Sequence, residues 1–221
     1  MFGRNRQAGY ARARERMVRE QLLSRGIKDE RVLAAMGQVP RHEFVPERLR
    51  GRAYEDRPLP VGHDQTISQP YIVALMTELL ALKGEDSVLE VGAGCGYQSA
   101  ILGCLAHRVC ALELEPELAA AARQTLERLD IGNVDLRHGD GFAPWPGGGS
   151  FAAILCACAP LEVPRALLSQ LAPGGRLVLP VGAAGGTQEL QCWCRAADGT
   201  FQREAQGAVR FVPMRHPHSL S

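Results

Sequence analysis

The stretch VLEVGAGCGYQSAIL, Val88 to Leu102, constrains this chain more than any other. An apolar run with strand character meets three alternating glycines, Gly92, Gly94 and Gly96, and reopens as an apolar, helix-like segment. Strand, glycine turn and helix in that order form the opening unit of a doubly wound sheet. In such a sheet the ligand sits at the carboxyl end of the strand, where glycine lets the backbone turn tightly and approach closely. A plain tight turn would use the same glycines, but the flanking strand and helix favour a ligand.

The chain continues the alternation. A helix in YQSAILGCLA is followed by a strand in RVCALEL and a helix in PELAAAARQTLERL that begins at its proline. Strands VDLRHGD and FAAILCACA, a helix in PRALLSQL, and strands GRLVLPVG, QELQCWCRA and GAVRFVPM complete the pattern. Repeated βαβ units predict an α/β fold, a mostly parallel sheet with helices on both faces, and the consecutive late strands predict an antiparallel C-terminal edge.

Ahead of this core, Met17, Leu22, Leu23, Ile27, Val32 and Leu33 are spaced for amphipathic helices between residues 11 and 35, with a break at 24–26. Residues 39–70 carry five prolines and two glycines with little periodicity and predict a long functional loop. A helix follows from Tyr71, with Pro70 at its start and Gly84 at its end. At 221 residues one compact unit is expected, organised as an N-terminal helical segment and substrate loop over 1–82 packed on a ligand-binding core over 83–221.

With 25 basic and 24 acidic residues, no bulk field draws the chain to nucleic acid or an anionic membrane. Its apolar stretches fall short of the ~20 residues a spanning helix needs. The Arg-rich start MFGRNRQAGYARARERM lacks the apolar region of a secretory signal, so a soluble cytoplasmic protein is expected. Seven cysteines without a CxxC pair read as reduced, mostly buried thiols, and six histidines without an HExxH spacing predict no metal site.

The ligand follows from the loop and the acids around it. The dinucleotide fingerprint GxGxxG places its third glycine where this chain has Tyr97, and the spacing here is GxGxG. Glu90, just before the loop, would repel a pyrophosphate yet favour a ligand carrying an ammonium and a sulfonium, which describes S-adenosyl-L-methionine. Glu113 ends the second strand where an acid can accept from both hydroxyls of a ribose, a feature that fits either cofactor. Asp140, in RHGDG with Gly141, could accept from an adenine amino group, although an Asp-Gly pair also makes an ordinary turn. Together the three acids favour a methyltransferase over a nicotinamide dehydrogenase.

The segments PLPVGHDQTISQPYIVALMTELL, VLEVGAGCGYQSAIL, RHGDG and VRFVP resemble the protein-L-isoaspartate (D-aspartate) O-methyltransferase family. The similarity runs from about Met17 to Val212, and TISQP is its specific part. It implies a Rossmann-like class I S-adenosylmethionine-dependent methyltransferase fold with an N-terminal helical extension. It implies methylation of the free α-carboxylate of L-isoaspartyl residues in damaged proteins and peptides, giving an ester that recloses to succinimide. The partners implied are those proteins, with no nucleic acid or membrane, and a monomer is expected.

The site that resemblance implies has Ser68 as its active-site residue and cofactor contacts at Thr66, Ile67, Gly92, Gly94, Gly96, Glu113, Leu114, Asp140 and Gly141, to which the charge argument adds Glu90. Val61, His63 and Val212 are the expected substrate contacts. A neutral serine hydroxyl suits the task, because it can orient a carboxylate without blunting it as a nucleophile. The other role open to Ser68 is as the N-cap of the helix near Tyr71. Against the family pattern, FAAILCACAP carries Ala152 where an Asp is usual, and Cys156, Ala157 and Cys158 at the strand end facing the cofactor. The competing readings are a same-fold methyltransferase acting on a small molecule or RNA, and a catalytically silent cofactor-binding paralogue.

Overall fold

The computed structural model describes residues 2–216. Met1 and residues 217–221, the outer ends of the two expected segments, lie outside the described residues. Helix α1 (Phe2–Met17) runs into a π-helical turn (Val18–Leu22) and a 3-10 turn (Leu23–Arg25), which stops at the left-handed Gly26. Asp29 caps helix α2 (Glu30–Gln38), its carboxylate accepting from the amides of Arg31 and Val32.

The stretch expected as a long loop is more ordered than that. It holds two 3-10 segments (Arg41–Phe44 and Glu47–Arg52) and a hairpin of β1 (Leu59–Gly62) and β2 (Gln65–Ile67). Elements this short carry too few residues for a periodic signal. Helix α3 (Pro70–Leu79) opens on its proline as expected, but it stops before Gly84, where Ala81 takes a positive φ of 48°.

Then follow β3 (Ser87–Val91), α4 (Tyr97–Gly103), β4 (Arg108–Glu113), α5 (Pro116–Arg128), β5 (Val134–His138), β6 (Phe151–Cys156), α6 (Arg165–Gln170), β7 (Leu171–Val181), β8 (Gln188–Arg195) and β9 (Phe201–Val209). The seven-stranded sheet has the order β5-β4-β3-β6-β7-β8-β9. Its first five strands in that order pair in parallel, and β8 and β9 are antiparallel. Because β3 pairs with β4 on one side and β6 on the other, its carboxyl end is the switch point at which such sheets bind ligands.

Alternate residues of the central strands serve two cores. Val88, Ala111, Leu155 and Val178 face Met36 of α2, Val73 of α3, Ile101 of α4 and Leu126 of α5. Leu89, Leu112, Ile154 and Leu179 face Trp145 and Leu167 of α6. Burial on both faces explains why these strands read as nearly continuous apolar runs.

Polar clamps seat the N-terminal helices on this core. The Arg31 guanidinium donates to the carbonyls of Leu82 (2.7 Å) and Leu105 (2.8 Å), and Glu78 Oε1 accepts from the amides of Lys28 and Asp29. The last strand departs from expectation: β9 occupies Phe201–Val209, and most of GAVRFVPM leaves the sheet. Residues 211–216 instead form a strap across the carboxyl ends of the strands. The strap is pinned by amide bonds from Ala159 to the Val212 carbonyl and from Met214 to the Ala159 carbonyl, each 2.8 Å. Among the described residues no helix is long and apolar enough to cross a membrane.

Candidate active site

A cavity opens over the switch point. Its floor is the glycine loop. The amides of Gly92 and Ala93 both donate to the Leu112 carbonyl, at 2.9 and 3.0 Å, which folds the loop back over β4. Gly94 takes a φ of +57° and donates its amide to Glu113 Oε2 at 2.7 Å. Glu113 Oε1 accepts the Glu115 amide at 2.9 Å. Two amides therefore anchor a carboxylate that lines the cavity, and its remaining lone pairs are available to hydroxyl donors such as a ribose diol.

Gly139 and Gly141 form part of the opposite wall. A Cβ on Gly141 would overlap Val91 Cγ1 and stand 2.9 Å from Met214 Cε, so only glycine leaves this space open. Asp140 between them does not line the cavity. Its Oδ1 accepts the Phe142 amide at 2.9 Å and builds the turn that sets the two glycines in place. Gly96 also stands off the cavity, where a Cβ would come 3.3 Å from that of Ala122 in α5.

Glu90 is fully buried and does not line the cavity either, because the alternation of β3 turns it toward α4. Ser99 Oγ donates to its Oε2 at 2.5 Å, and its Oε1 has no partner among the described residues. Burial pushes its pKa up to about 7; the Ser99 bond works against the rise and the Glu113 charge adds to it. Tyr97, which stands where a dinucleotide fold would place its third glycine, is also buried. It packs edge-on against Phe44 at 5.5 Å, with its hydroxyl 3.7 Å from Met36 Sδ, and so joins the N-terminal segment to the loop.

Thr66, Ile67 and Ser68 line the cavity from the side of β2. The Ser68 carbonyl accepts from Arg41 Nη2 at 2.7 Å, while its hydroxyl has no hydrogen-bond partner among the described residues. Ser68 is not the cap of α3, whose N-cap is Gln69 with no side-chain cap bond. An open cleft adjoins the cavity, with Pro58, Ile72, Thr187 and Arg210 along it. Thr66, Ser68, Ala157, Phe211, Val212 and Pro213 belong to both spaces. Ser68 and Val212 thus stand in the partition between them. Val61 and His63 line neither: Val61 packs against the hydrophobic core, and the hairpin turn carries His63 outward, with a φ of 50° and its ring 3.3 Å from the Glu117 carboxylate.

Among the cavity residues that sequence reasoning did not single out are Gln98, Met214 and Arg215. Gln98 donates to Thr77 Oγ1 at 2.9 Å, and Arg215 donates to Glu115 Oε1 at 2.6 Å, which latches the strap to the start of α5. The strap was signalled only by VRFVP, read as a strand. Ala157 and Cys158 do face the cavity; Cys156 is buried with its Sγ 3.6 Å from that of Cys158. Ala152, at the other end of β6, borders a separate pocket with Lys83 and Arg176. Among the described residues no group of three or more His, Cys, Asp or Glu could hold a metal ion.

The features of the cavity fit S-adenosylmethionine: an anchored diol acceptor in Glu113, apolar walls at Val91, Leu112 and Leu114, and a wall that glycine alone leaves open.

Comparison with known proteins agrees. The family model Protein-L-isoaspartate(D-aspartate) O-methyltransferase matches residues 12–218. A protein-L-isoaspartate O-methyltransferase of Synechococcus sp. (strain JA-2-3B'a(2-13)) is 54% identical over 211 residues, 93% of this chain and 86% of that protein. A solved protein-L-isoaspartate O-methyltransferase superposes with a TM-score of 0.82 at 27% identity, covering 92% of this chain and 66% of that one. A Plasmodium falciparum chain assigned to the same activity, solved with S-adenosyl-L-homocysteine, gives 0.79 at 26% identity, covering 91% and 98%.

Proposed function

The chain belongs to the protein-L-isoaspartate(D-aspartate) O-methyltransferase family, and from that premise we propose how its residues carry a methyl group to the free α-carboxylate of L-isoaspartyl residues in damaged proteins. The enzyme is S-adenosylmethionine-dependent, and its role is protein repair. The single observation that carries the site assignment is the partition: Ser68 borders both the cofactor cavity and the open cleft.

Bound in the cavity, S-adenosylmethionine supplies an electrophilic methyl group on a sulfonium. Glu113 would accept the ribose hydroxyls, and Leu112, Leu114, Gly139 and Gly141 would line the space for the base. The acceptor carboxylate is ionised at neutral pH and needs no general base. Ser68 donates its free hydroxyl to one carboxylate oxygen and so directs the other toward the cavity. Val212 and Pro213 form the far side of the same opening. Alignment of this kind can supply on the order of 7 to 11 kcal/mol.

Segment 1–82 supplies Pro58, Thr66, Ser68 and Ile72 to the acceptor cleft and rests on the cofactor core 83–221, which adds Thr187, Arg210 and Val212 to it. A cytoplasmic monomer that acts on proteins, not on nucleic acid or membranes, is the matching whole-molecule reading. The near-neutral charge supports it, as do large exposed apolar side chains that are scattered singly at Leu23, Leu161 and Phe201. The test is to age a substrate protein until isoaspartate accumulates, then measure base-labile methyl incorporation by wild type and Ser68→Ala. Incorporation by wild type, lost in the variant while cofactor still binds, is the expected result. Equal incorporation by both removes Ser68 from the mechanism.

A further inference from the structure

Arg41 is fully buried, yet no carboxylate lies within ion-pair distance of it among the described residues. Its guanidinium makes two short bonds to backbone oxygens: Nε to the Ala53 carbonyl and Nη2 to the Ser68 carbonyl, each 2.7 Å. The same group lies 4.8 Å from the centre of the Tyr97 ring, and Nη1 has no partner among the described residues. A buried cation without a counter-charge is costly, and filling this volume would need only an apolar side chain. The guanidinium offers instead a rigid planar fork whose donors keep a fixed spacing.

We propose that Arg41 is a positioning residue for methyl transfer, holding the Ser68 carbonyl so that the free Ser68 hydroxyl points at the opening between the cleft and the cofactor cavity. The inference rests on the reading of Ser68 given above. A bond to the Ser68 carbonyl fixes the peptide plane between Ser68 and Gln69, and with it the direction of the Ser68 Cα–Cβ bond. Because the plane after Ser68 leads into Pro70 at the start of α3, this segment has few other backbone donors to hold it. Tyr97, under the guanidinium, is the first residue of α4 after the glycine loop. One side chain therefore touches both the segment that orients the acceptor and the first residue of α4.

The test is a double-mutant cycle on isoaspartyl-peptide methylation with wild type, Arg41→Met, Ser68→Ala and the double variant. Cofactor affinity is measured on each by titration with S-adenosylhomocysteine. Arg41→Met is expected to lower kcat by about 10- to 100-fold, the scale of a small misplacement of a reacting group. Its cofactor affinity should stay within about twofold, which also certifies folding. In the Ser68→Ala background the same substitution should change kcat by less than about twofold, because its effect passes through the serine hydroxyl.

Equal losses in both backgrounds overturn the proposal and leave Arg41 a general support of the fold. If Ser68→Ala turns over too slowly to enter the cycle, Ser68→Asn, whose side chain redirects the donor, takes its place. If Arg41→Met fails to bind cofactor, Arg41→Lys, which keeps the charge but not the fork, must show the same non-additivity. Full turnover by Ser68→Ala alone overturns the serine reading itself, an outcome separate from an additive cycle.

Discussion

Gly94 and Glu113, nineteen residues apart in sequence, are joined by a 2.7 Å bond from the glycine amide to the carboxylate. The bond makes the loop after β3 and the end of β4 one unit, so the acid proposed to accept the cofactor ribose also holds the backbone beneath it. Replacing Glu113 by Ala removes both functions. Affinity for S-adenosylhomocysteine in calorimetric titration should fall by at least about tenfold, the equivalent of one good hydrogen bond lost. Unchanged affinity would mean that Glu113 holds the loop without touching the ligand.

Gly141→Ala places a methyl group against Val91 and Met214. Overpacking of this kind costs about 1–3 kcal/mol, so a lower midpoint in urea unfolding is expected together with weaker cofactor binding. Wild-type values for both would contradict the close approach of the strap to this wall.

Ser68→Ala separates catalysis from capping. Since the hydroxyl has no partner among the described residues and Gln69 holds the cap position, unfolding free energy should stay within about 0.5 kcal/mol of wild type. A loss near 1 kcal/mol, the usual cost of a removed cap, would restore the capping role.

Glu90 makes stability depend on pH. Burial raises its folded pKa from 4.5 to about 7, so the folded state holds this proton more tightly than the unfolded chain. The stabilisation is fully present below the unfolded value and is lost as the pH climbs through about 7, a change on the order of 3 kcal/mol at most. Thermal scans should show a Tm that falls from pH 5 to pH 8, and Glu90→Gln should flatten that slope. An identical slope in the variant would assign the dependence to another group.

Much of this was legible in the sequence. The strands β3, β4 and β6 are buried on both faces and carry strong apolar runs, and prolines mark the starts of α3 and α5. What escaped did so for identifiable reasons. The polar strand β9, FQREAQGAV, is largely exposed at the sheet edge and shows no alternation, which let the apolar RFVPM beyond it pass for the last strand. The direction of Glu90 depends on strand parity, which no motif reports. Arg41 reads as one arginine among many, because its meaning lies in a bond across 27 residues to Ser68.

The most direct measurement is transfer of a labelled methyl group from S-adenosylmethionine to a short isoaspartyl peptide beside its normal aspartyl twin. The account predicts base-labile label on the isoaspartyl peptide alone. Label on neither peptide by protein that still binds S-adenosylhomocysteine would contradict it.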